Sequence, residues 1–579
     1  MKSLFLATLC AALAAPAANA QLPPAMAKLP PLTETPAQRD ARMQWWRDAK
    51  FGLFIHWGPV SLQGVEIGWG RKAPRTYDIN GHTGRGADPE YDNLYKRFNP
   101  VKFNAAEWVK IAQDAGMKYL VLVCKHHDGF SMFHTKHSDY SIANTPFKRD
   151  LVKELADACR AAGLRFGVYY SQRDWYHPDY LVGDNRKYNE FYQEQVRELL
   201  TNYGNVDILW FDHVAGFWSD YTYDQLYPMI YQLQPDILIN DRGAKFCGRG
   251  RDRKQSTLSK LPESREARKI VNGDFYTPEQ RIGGMDLKRD WESCITICHQ
   301  WAWKPNDKMK SFSECIRTLV TCATGGGNLL FNVGPMPTGE IEPRQVERLK
   351  EIGAWLGKYR DSIYGTQGGP YSNGRWGGST RKGKTVWLHV FEWNGDKLRL
   401  PALPAKVVGI RSLTGGKPSF QQTASGLDVT VAKSDQDPVN TVIELTLDQA
   451  LPAKLALGST RSLANDPNYG DVLLTQSAIK MEKSKPLVLD LGGNPSVAGI
   501  SMVLAKGKIA AKTLSVAISH DGTNWENVRS FDRLTSLLEV SLSRTVAGAD
   551  VLGRPVRSIR IEADAPLQLD QVKVLGKPR

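Results

Sequence analysis

Residues 105–124 read AAEWVKIAQDAGMKYLVLVC, a helical pattern that stops at a glycine and passes at once into an apolar run. Apolar residues recur at helical spacing up to Ala115, and Gly116 is typical of a helix C-terminus. Tyr119–Cys124 has the length and composition of a buried parallel strand. The same order returns over residues 151–171. A helix that leads directly into a buried strand, twice in succession, indicates a parallel α/β fold.

The alternation extends in both directions, from residue 51 to residue 333. Eight apolar runs alternating with helical patterns predict a (β/α)₈ TIM-like barrel. An open doubly wound sheet is the alternative, but it normally carries a glycine-rich phosphate turn after its first strand, and none follows here. The predicted strands are Phe51–Trp57, Tyr119–Cys124, Arg165–Ser171, Asp207–Asp212, Asp236–Asn240, Ile270–Tyr276, Ser293–Trp301 and Asn328–Val333. The predicted helices are Ala105–Ala115, Leu151–Ala162, Tyr188–Tyr203, Tyr223–Gln234, Ser313–Thr324 and Gln345–Tyr359.

Further segments precede this barrel, which we place at residues 40–366. Residues 1–20 have an early lysine, an apolar run too short to span a bilayer, and the small-residue end Ala18-Asn-Ala20, and they predict a cleaved secretory signal peptide. Residues 21–39 are rich in Pro and Ala, as linkers are. No later stretch predicts a membrane span, so we expect an exported protein, periplasmic or extracellular.

Beyond the barrel the pattern changes to short runs between Gly, Pro and Asp turns. Residues 367–455 predict a small antiparallel β-sandwich. Residues 456–579 resemble the discoidin-like (F5/8 type C) jelly-roll modules that often bind carbohydrate, on the segments 488–492 (VLDLG) and 513–526 (TLSVAISHDGTNWE). Trp525 is expected to be a core aromatic in preference to a sugar platform.

The formal charge of +14 is spread along the chain, and the densest run of bases is Gly248–Lys254. Proteins that bind nucleic acid cluster their bases with interleaved aromatics, so this pattern predicts a soluble basic surface and no nucleic-acid partner. Seven cysteines follow the signal peptide, which leaves at least one free thiol and indicates no disulfide framework. Cys294 and Cys298 lack a second ligand pair at zinc spacing. No motif indicates a cofactor.

The predicted strands share one feature at their carboxyl ends, where polar and aromatic side chains collect. In TIM barrels the functional side chains lie at these ends. Aromatic faces bind the apolar side of a sugar ring, and His, Arg and carboxylates bind its hydroxyls. A single His or Asp at a strand end is more often structural. We predict a sugar pocket because seven or more strand ends each carry such polar or aromatic side chains. The side chains concerned are His56, Trp57, His126, His127, Asp128, Tyr169, Tyr170, Asp174, Trp210, Asp212, Asp241, Arg242, Asp274, Glu279, Trp301, Trp303 and Asn332.

The adjacent histidines His126 and His127 are also candidates for metal ligation, because neutral imidazole is a common ligand. Neighbouring residues of a strand point to opposite faces, so both rings reach one ion only where the strand ends and bends. No His-x-His pattern occurs in the chain. We therefore predict sugar binding here in preference to a metal site.

Five segments are distinctive when taken together: residues 43–58 (MQWWRDAKFGLFIHWG), 125–130 (KHHDGF), 209–212 (LWFD), 240–242 (NDR) and 326–335 (GGNLLFNVGP). They resemble glycoside hydrolase family 29, the α-L-fucosidases. The resemblance covers residues 40–365 and the sandwich that follows. It implies an exo-acting enzyme that hydrolyses terminal α-L-fucosyl residues of glycans with retention, by double displacement.

The resemblance also implies roles for individual residues. Asp212, which closes the fourth strand, matches the family nucleophile. Relatives have an adjacent Glu-Trp pair in the loop after the first strand that contacts fucose, and its counterparts here are Glu66 and Trp69, with two residues between them. The resemblance also implies that Trp301 packs on the methyl group of the sugar. The other residues matched to fucose contacts are His56, His126, His127, Tyr169, Trp210 and Arg242.

The acid/base residue is predicted to be Glu279, because residues 275–279 (FYTPE) resemble the segment that carries it in several family members. Glu292 is the alternative, although we expect it to close a structural hydrogen bond, and Glu263 and Glu266 have the surroundings of a solvated loop. Glycoside cleavage needs an acid on the leaving oxygen and a partner for the oxocarbenium-like carbon. Retention requires carboxyl groups about 5–5.5 Å apart.

Two other classes of function stay open. A non-catalytic carbohydrate-binding barrel would lack one of the two carboxylates. A metal-dependent barrel hydrolase would contain metal when purified and would lose activity to chelators. The fucosyl linkage, the natural glycan and the oligomeric state, including a homo-oligomer, are not indicated by the sequence.

Overall fold

The computed structural model describes residues 34–72, 87–182, 185–212, 221–243, 273–282, 284–424 and 426–457, and continues with short gaps from residue 470 to residue 576. The predicted signal peptide, most of the predicted linker, and Glu263 and Glu266 lie outside the described residues.

Seven parallel strands form the central sheet of the first domain. They are β1 Phe51–Ile55, β2 Tyr119–Lys125, β3 Arg165–Ser171, β4 Ile208–Asp212, β5 Leu238–Ile239, β6 Glu292–Thr296 and β7 Asn328–Val333. Their order across the sheet is β5-β4-β3-β2-β1-β7-β6. The strands are buried over nearly their whole length, which explains why their sequences are continuous apolar runs without alternation. Parallel pairing brings all seven carboxyl ends to one edge.

Residues 270–272 of the predicted strand Ile270–Tyr276 lie outside the described residues, and its described part forms no ladder. In its place the segment 273–282 joins β5 to β6 through isolated bridges, from Phe275 to Asn240 and from Glu279 to Cys294. Two features of its sequence interrupt a regular ladder: Gly273 has a left-handed φ of 63°, and the proline at position 278 has no N–H to donate. The segment still occupies the gap between the two end strands, as the eighth position of a TIM-like barrel.

Helices alternate with the strands as predicted. They are α1 Pro36–Ala49, α2 Pro89–Asp92, α3 Ala105–Asp114, α4 Leu151–Ala161, α5 Arg186–Thr201, α6 Tyr223–Leu233, α7 Phe312–Thr324 and α8 Pro343–Tyr359. Helix α1 begins within the predicted linker, because Thr35 and Gln38 form a capping box there. Its inner face buries Met43 and Trp46. Among the described residues, no helix is long and apolar enough to cross a membrane.

The second domain consists of two antiparallel sheets. Its strands are β8 Gln367–Gly368, β9 Gly377–Lys382, β10 Thr385–Val390, β11 Lys397–Pro401, β12 Val407–Ser412, β13 Ser419–Thr423, β14 Gly426–Thr430 and β15 Thr441–Leu447. One sheet has the order β12-β15-β10-β9-β8 and the other β11-β14-β13. Both contribute to one apolar core, which includes Leu388 and Ile443 from the first sheet and Leu398 and Leu427 from the second. The sandwich therefore has the layered form that the sequence predicts.

The C-terminal part is again antiparallel. Its strands are β16 Gly470–Leu474, β17 Ile479–Met481, β18 Leu487–Asp490, β19 Ser496–Leu504, β20 Leu514–Ser519, β21 Glu526–Phe531, β22 Leu537–Ser541, β23 Arg544–Val546, β24 Ala549–Val551, β25 Arg554–Pro555, β26 Ser558–Ala563 and β27 Leu567–Gly576. They form a sheet β16-β27-β19-β22, with β17 and β25 paired to it, and a sheet β18-β26-β20-β21. These strands share a core of their own. Trp525 is half-buried, with the Arg560 guanidinium 4.8 Å above its ring, so it is not the core aromatic expected.

The six described cysteines are buried free thiols. A buried thiol packs as a small apolar side chain, which agrees with their positions in strands and helices. Burial raises the pKa of Cys159, Cys298 and Cys315 to about 12, so these thiols stay protonated and unreactive at neutral pH.

Candidate active site

A pocket opens at the carboxyl edge of the barrel sheet. Strands β1 to β6 and the segment 273–282 all contribute to it, as expected when parallel strands deliver their ends to one place. Ten of the eleven predicted site residues line it, and Glu66 is the exception. The lining residues are Phe54, His56, Trp69, His126, His127, Tyr169, Trp210, Asp212, Arg242, Glu279, Cys294 and Trp301.

Asp212 is the last residue of β4, and its carboxylate lies at the bottom of this pocket. The Tyr169 hydroxyl donates to Oδ2 at 2.7 Å, and Arg242 Nη1 donates to Oδ1 at 2.9 Å. The register of β3 and β4 places Tyr169 beside Trp210, so the phenol reaches the next side chain on the same face. Asp212 is thereby oriented by one donor on each oxygen.

Arg242 connects the two candidate catalytic carboxylates. Its Nη1 donates both to Asp212 Oδ1 and to Glu279 Oε2, each at 2.9 Å. The two carboxylate oxygens therefore lie no further apart than twice this distance. Thr277 holds the rest of the guanidinium, with Oγ1 accepting from Nε at 2.9 Å and the carbonyl accepting from Nη2 at 3.0 Å. Burial alone would lower the pKa of Arg242, but the Asp212 and Glu279 charges raise it, so the guanidinium stays charged.

Glu279 stands at the rim, on the segment without regular pairing. Its side chain is 46% exposed, whereas that of Asp212 is 10% exposed. Next to it, the Gln280 N–H donates to the Cys294 carbonyl at 3.0 Å and the Cys294 N–H donates to the Pro278 carbonyl at 3.1 Å. A half-exposed carboxyl facing a buried one is the arrangement expected of a leaving-group acid above a nucleophile.

Helix α1 anchors the start of that segment. Arg42 donates to both oxygens of Asp274, at 3.0 Å from Nη1 and 2.7 Å from Nη2, and Arg39 Nη2 donates to the Asp274 carbonyl at 2.7 Å. Asp274 Oδ2 also accepts from the Ile239 N–H of β5 at 2.9 Å. Because bidentate charged hydrogen bonds fix both distance and angle, these contacts replace the ladder that the segment lacks.

The surrounding contacts define the tautomer of His56. Asn332 Nδ2 donates to the Trp301 carbonyl at 2.8 Å, so Oδ1 is the amide atom that faces His56 Nδ1 at 2.6 Å. Nδ1 must then carry the proton, and Nε2 has the lone pair. Burial lowers the pKa of His56 to about 4, so the ring is neutral at neutral pH.

His127 is fixed in the same way. The Ser171 hydroxyl donates to the Arg173 carbonyl at 2.7 Å and accepts from the Arg173 N–H at 3.1 Å. Its remaining lone pair faces His127 Nδ1 at 2.6 Å, so Nδ1 is the donor. Nε2 of His127 then lies 3.8 Å from Asp212 Oδ2.

Aromatic rings form the walls. His126 stacks on Tyr169 with the centroids 5.7 Å apart, and Tyr169 stacks on Trp210 at 5.5 Å. Trp301 lies 4.7 Å from the His56 ring on the opposite side. Trp69, more than one-third exposed, meets the His127 ring edge to face at 5.5 Å. The pocket thus combines imidazoles, indoles, a guanidinium and two carboxyl groups.

Glu66, predicted as a sugar contact, is not among the described residues that line the pocket. Its carboxylate accepts from the backbone N–H groups of Ile67 at 3.0 Å, Trp301 at 2.9 Å and Ala302 at 3.1 Å. Two residues separate it from Trp69, and these contacts turn it toward the backbone instead of the cavity. Glu66 therefore positions Trp301.

Glu292, the alternative acid/base residue, is fully buried on β6 beneath the pocket. The Tyr119 hydroxyl donates to Oε2, and Trp210 Nε1 donates to Oε1 at 3.2 Å. Burial raises the pKa of Glu292 to about 7. The structural hydrogen bond expected from the sequence is confirmed, and no pocket surface reaches this carboxyl group.

Sequence reasoning missed several residues of the site. Phe54 and Cys294 line the pocket, and Ser171 and Thr277 orient His127 and Arg242. The signal for Phe54 was available, because it lies two residues before His56 on one strand and so shares its face. Thr277 gave no such signal, since its role depends on an irregular segment.

Comparisons with known proteins point to one family. A family model described as alpha-L-fucosidase matches residues 20–361. The alpha-L-fucosidases of Dictyostelium discoideum and Branchiostoma floridae are 28% and 31% identical, over 69% and 68% of this chain and 92% and 90% of their own lengths.

Solved structures give the same result. Alpha-L-fucosidase isoenzyme 1 from Paenibacillus thiaminolyticus has a TM-score of 0.61 and 34% identity, covering 71% of this chain and all of that one. A GH29 alpha-L-fucosidase from Bacteroides thetaiotaomicron, trapped as a covalent intermediate in complex with 2-fluoro-fucosyl fluoride, has a TM-score of 0.57 and 28% identity, covering 70% and 96%. The chain therefore belongs to the α-L-fucosidase family of glycoside hydrolases.

Proposed function

We propose that the protein is an exo-acting, retaining α-L-fucosidase that removes terminal α-L-fucosyl residues from glycans by double displacement. The observation that carries this proposal is the shared Arg242 nitrogen, 2.9 Å from an oxygen of each carboxylate. Because both oxygens contact one nitrogen, Asp212 Oδ1 and Glu279 Oε2 are separated by at most twice this distance. That upper limit is close to the carboxyl separation of about 5–5.5 Å in retaining glycosidases and is below the separation of about 6.5–9.5 Å in inverting ones.

In the first step Asp212 attacks C1 of the fucosyl residue while Glu279 donates its proton to the glycosidic oxygen. The C1–O bond to the leaving sugar breaks, and an ester bond from C1 to Asp212 forms. Tyr169 and Arg242 hold the attacking carboxylate in place. The relative trapped as a covalent intermediate supports this step.

In the second step Glu279, now ionised, takes a proton from water as the water oxygen attacks C1. The ester bond to Asp212 breaks, which releases L-fucose and restores both carboxyl groups. The partial exposure of Glu279 supports this role, because the same group must meet the leaving sugar and then water.

The shape and polarity of the pocket support a single terminal sugar as its occupant. Nε2 of His56 is a hydrogen-bond acceptor for a sugar hydroxyl, and the indoles of Trp210 and Trp301 suit the apolar face and the methyl group. The two rivals, a non-catalytic sugar-binding barrel and a metal-dependent hydrolase, account less well for two carboxylates held on one guanidinium.

Three further features belong to the proposal. The discoidin-like character of residues 456–579 is supported by two antiparallel sheets around one core. Export through a cleaved signal peptide, to the periplasm or beyond the cell, is supported by the pattern of residues 1–20. The mechanism uses no cofactor.

Proton NMR of the first turnovers on an aryl α-L-fucoside tests the mechanism. Retention predicts α-L-fucose as the first product, with the β anomer appearing only by mutarotation. Initial release of the β anomer would show inversion, and no hydrolysis of any member of a panel of 1,2-, 1,3-, 1,4- and 1,6-fucosylated oligosaccharides would reject the activity.

A further inference from the structure

We propose that Asn332 is a positioning residue that determines how the pocket recognises a sugar, because it makes His56 a hydrogen-bond acceptor and fixes Trp301 beside it. The inference deepens the proposed function and rests on it for the identity of the sugar. Asn332 lies on β7, is 1% exposed and is not among the described residues that line the pocket. It therefore acts on a bound sugar through the two pocket residues that it contacts.

The backbone places the Asn332 side chain on the pocket side of the sheet. The residue pairs with Phe54 of β1 and with Thr296 of β6, and its carbonyl accepts from the Ile297 N–H at 3.0 Å. Phe54 lines the pocket, and paired residues of neighbouring strands point to the same face. The amide therefore reaches His56, which lies two residues beyond Phe54 on that face.

The Asn332 amide supplies both groups that its neighbours need. Its Nδ2 donates to the Trp301 carbonyl at 2.8 Å, and its Oδ1 accepts from His56 Nδ1 at 2.6 Å. An apolar side chain would leave both neighbours unpaired, and a carboxylate would have no proton to donate to the carbonyl. Because an unpaired buried donor or acceptor loses its full hydration without replacement, these two bonds fix both partners.

The backbone of Trp301 is held from two sides. Its carbonyl accepts from Asn332, and its N–H donates to Glu66 Oε2 at 2.9 Å. With both backbone groups fixed, the indole keeps its place 4.7 Å from the His56 ring. One amide thus connects the imidazole, which suits a sugar hydroxyl, to the indole, which suits an apolar part of the same sugar.

The His56 ring is neutral, so the position of its single proton decides its role. Burial lowers the pKa of His56 to about 4, although the Asp212 charge favours the protonated ring, and the Arg242 charge opposes it. Two further titratable rings have their centroids 5.8 and 5.7 Å from that of His56, and they belong to His126 and Tyr169. Since Nδ1–H is already donated, Nε2 meets the sugar as an acceptor, and the sugar hydroxyl must be the donor.

Long-range ¹H–¹⁵N NMR spectra of the full-length protein labelled with ¹⁵N-histidine test the tautomer directly. We expect the His56 ring, identified by its absence in His56→Gln, to carry its proton on Nδ1 at pH 7. Asn332→Leu removes the acceptor, so the proton should move wholly or partly to Nε2. A wild-type ring with its proton on Nε2 would overturn the proposal, whether or not the variant folds.

Asn328→Leu is the matched control for this substitution. Asn328 is a buried amide on the same strand, and its Nδ2 donates to the Trp46 carbonyl at 2.7 Å. Its loss should lower the thermal midpoint but leave the His56 tautomer and the affinity for L-fucose as in the wild type. A tautomer that changes equally in both variants would show a general disturbance of β7 and reject a specific role of Asn332.

Calorimetric titration with L-fucose measures what the tautomer contributes to binding. Asn332→Leu should weaken the affinity about 10- to 100-fold. In hydrolysis of an aryl fucoside it should raise KM by a similar factor and change kcat less than about threefold, since the hydroxyl is bound alike in substrate and transition state. Glu66→Ala, which frees the Trp301 N–H, should also weaken binding but keep the tautomer. Equal L-fucose affinities in the wild type and a folded Asn332→Leu would overturn the proposal.

The direction of the hydrogen bond to His56 provides a sharper test. Fluorine in place of a hydroxyl cannot donate, so one of the 2-, 3- and 4-deoxyfluoro analogues of L-fucose should bind the wild type at least about tenfold more weakly than L-fucose. For that analogue the loss should be smaller in Asn332→Leu, whose His56 can donate from Nε2. Equal losses in the two proteins for every analogue would show that no hydroxyl donates to His56.

These measurements separate the positioning role from the proposed function. A protein that has the Nδ1–H tautomer and loses L-fucose affinity in Asn332→Leu, but hydrolyses no fucoside, keeps the positioning role and loses the glycosidase. An active fucosidase in which Asn332→Leu alters neither the tautomer nor KM keeps the proposed function and loses the positioning role. A wild type that binds no L-fucose would overturn both.

Discussion

Two walls of the pocket are built by different means. The histidine wall, which comprises His56, His126, His127 and Asp212, stands on β1, β2 and β4, whose parallel ladders fix its register. The glutamate wall is the segment 273–282, which is joined to its neighbours by isolated bridges. The first wall lies at the ends of regular ladders, with side-chain contacts that orient its rings, whereas the second is attached mainly by side-chain contacts and isolated bridges.

The difference shows which part of a TIM-like barrel can lack regular strand pairing. On the glutamate wall, Arg42 holds Asp274, and Thr277 donates from Oγ1 to Asp241 at 2.8 Å while accepting from Arg242. These contacts are buried and partly charged, so they are stronger than surface pairs. The proposed acid/base group thus stands on a segment held by side-chain contacts, and the proposed nucleophile stands on a strand held by a ladder.

The largest effect on activity should come from a substitution of Asp212 in the histidine wall. Asp212→Gly removes the nucleophile, so kcat on an aryl fucoside should fall by several orders of magnitude, since covalent catalysis is lost. Azide fills the space of the missing carboxylate and should partly restore turnover, giving β-fucosyl azide identified by NMR. Turnover near the wild-type rate would remove Asp212 from the mechanism.

Substitution of Glu279 in the glutamate wall should lower activity by an amount that depends on the leaving group of the substrate. Glu279→Ala should lower kcat/KM about 10²- to 10⁴-fold for a fucosylated oligosaccharide, because a sugar leaves only when protonated. An activated aryl group leaves without help, so that substrate should show a burst and then accumulate fucosyl-enzyme. Azide should release it as α-fucosyl azide.

Glu292→Ala provides the comparison for that result. Glu292 contacts Tyr119 and Trp210 beneath the pocket, so its loss should affect both substrates alike and lower the thermal midpoint. Azide rescue and substrate dependence in Glu292→Ala, with neither in Glu279→Ala, would move the acid/base role to Glu292.

The same contrast explains how much the sequence could predict. The strands of the histidine wall are continuous apolar runs that end in distinctive residues. The bounds of these three strands, and those of β3 and β7, were therefore predicted within one to two residues. Ile270–Tyr276 looked like a strand by composition, but whether a short apolar run pairs depends on contacts far along the chain, here Arg42 with Asp274. The contacts of Glu66 could not be predicted for the same reason, since Trp301 and Ala302, two of its three partners, lie more than 230 positions away.

Loosening the anchor of the glutamate wall should have a moderate effect. Arg42→Met removes both hydrogen bonds to Asp274, so Glu279 should be held less well, and kcat/KM for a fucosylated oligosaccharide should fall about tenfold. The activated aryl substrate should lose less, because it needs no acid. Arg47→Met is the matched control, since it lies on the same helix but donates to Asp290. Equal losses on both substrates in Arg42→Met would show a purely structural role.

Glu292, which lies beneath both walls, should make the stability of the folded protein depend on pH. Burial raises the pKa of Glu292 from 4.5 to about 7, so the folded state keeps this proton while the unfolded state loses it. The stability that the neutral form gives is complete below about pH 4.5 and is lost as pH rises through 7, a change on the order of a few kcal/mol. Thermal midpoints of wild type and Glu292→Gln measure it, and a difference that is constant from pH 4.5 to 7.5 would contradict the shift.

The smallest effect on activity should come from removing the C-terminal strands, which contribute to neither wall. Among the described residues, the pocket lining ends at Trp301, and the C-terminal strands have a core of their own. A chain that ends at Leu457 keeps the bond from the Leu457 N–H to the Pro370 carbonyl, and so keeps the sandwich complete. Its kcat/KM on an aryl fucoside should stay within twofold of the full-length value.

A chain that ends at Thr366 is the control for that truncation, because it also removes the sandwich. Trp387 and Val442 of the sandwich belong to the same apolar core as the barrel, and Arg317 of α7 donates to the carbonyls of Pro438 and Val439. We expect this shorter chain to expose that core and to fail to fold. If the chain ending at Leu457 folds, with a thermal midpoint near that of the barrel in the full-length protein, and yet hydrolyses no aryl fucoside, the C-terminal strands complete the active site. The two walls would then not be sufficient for catalysis.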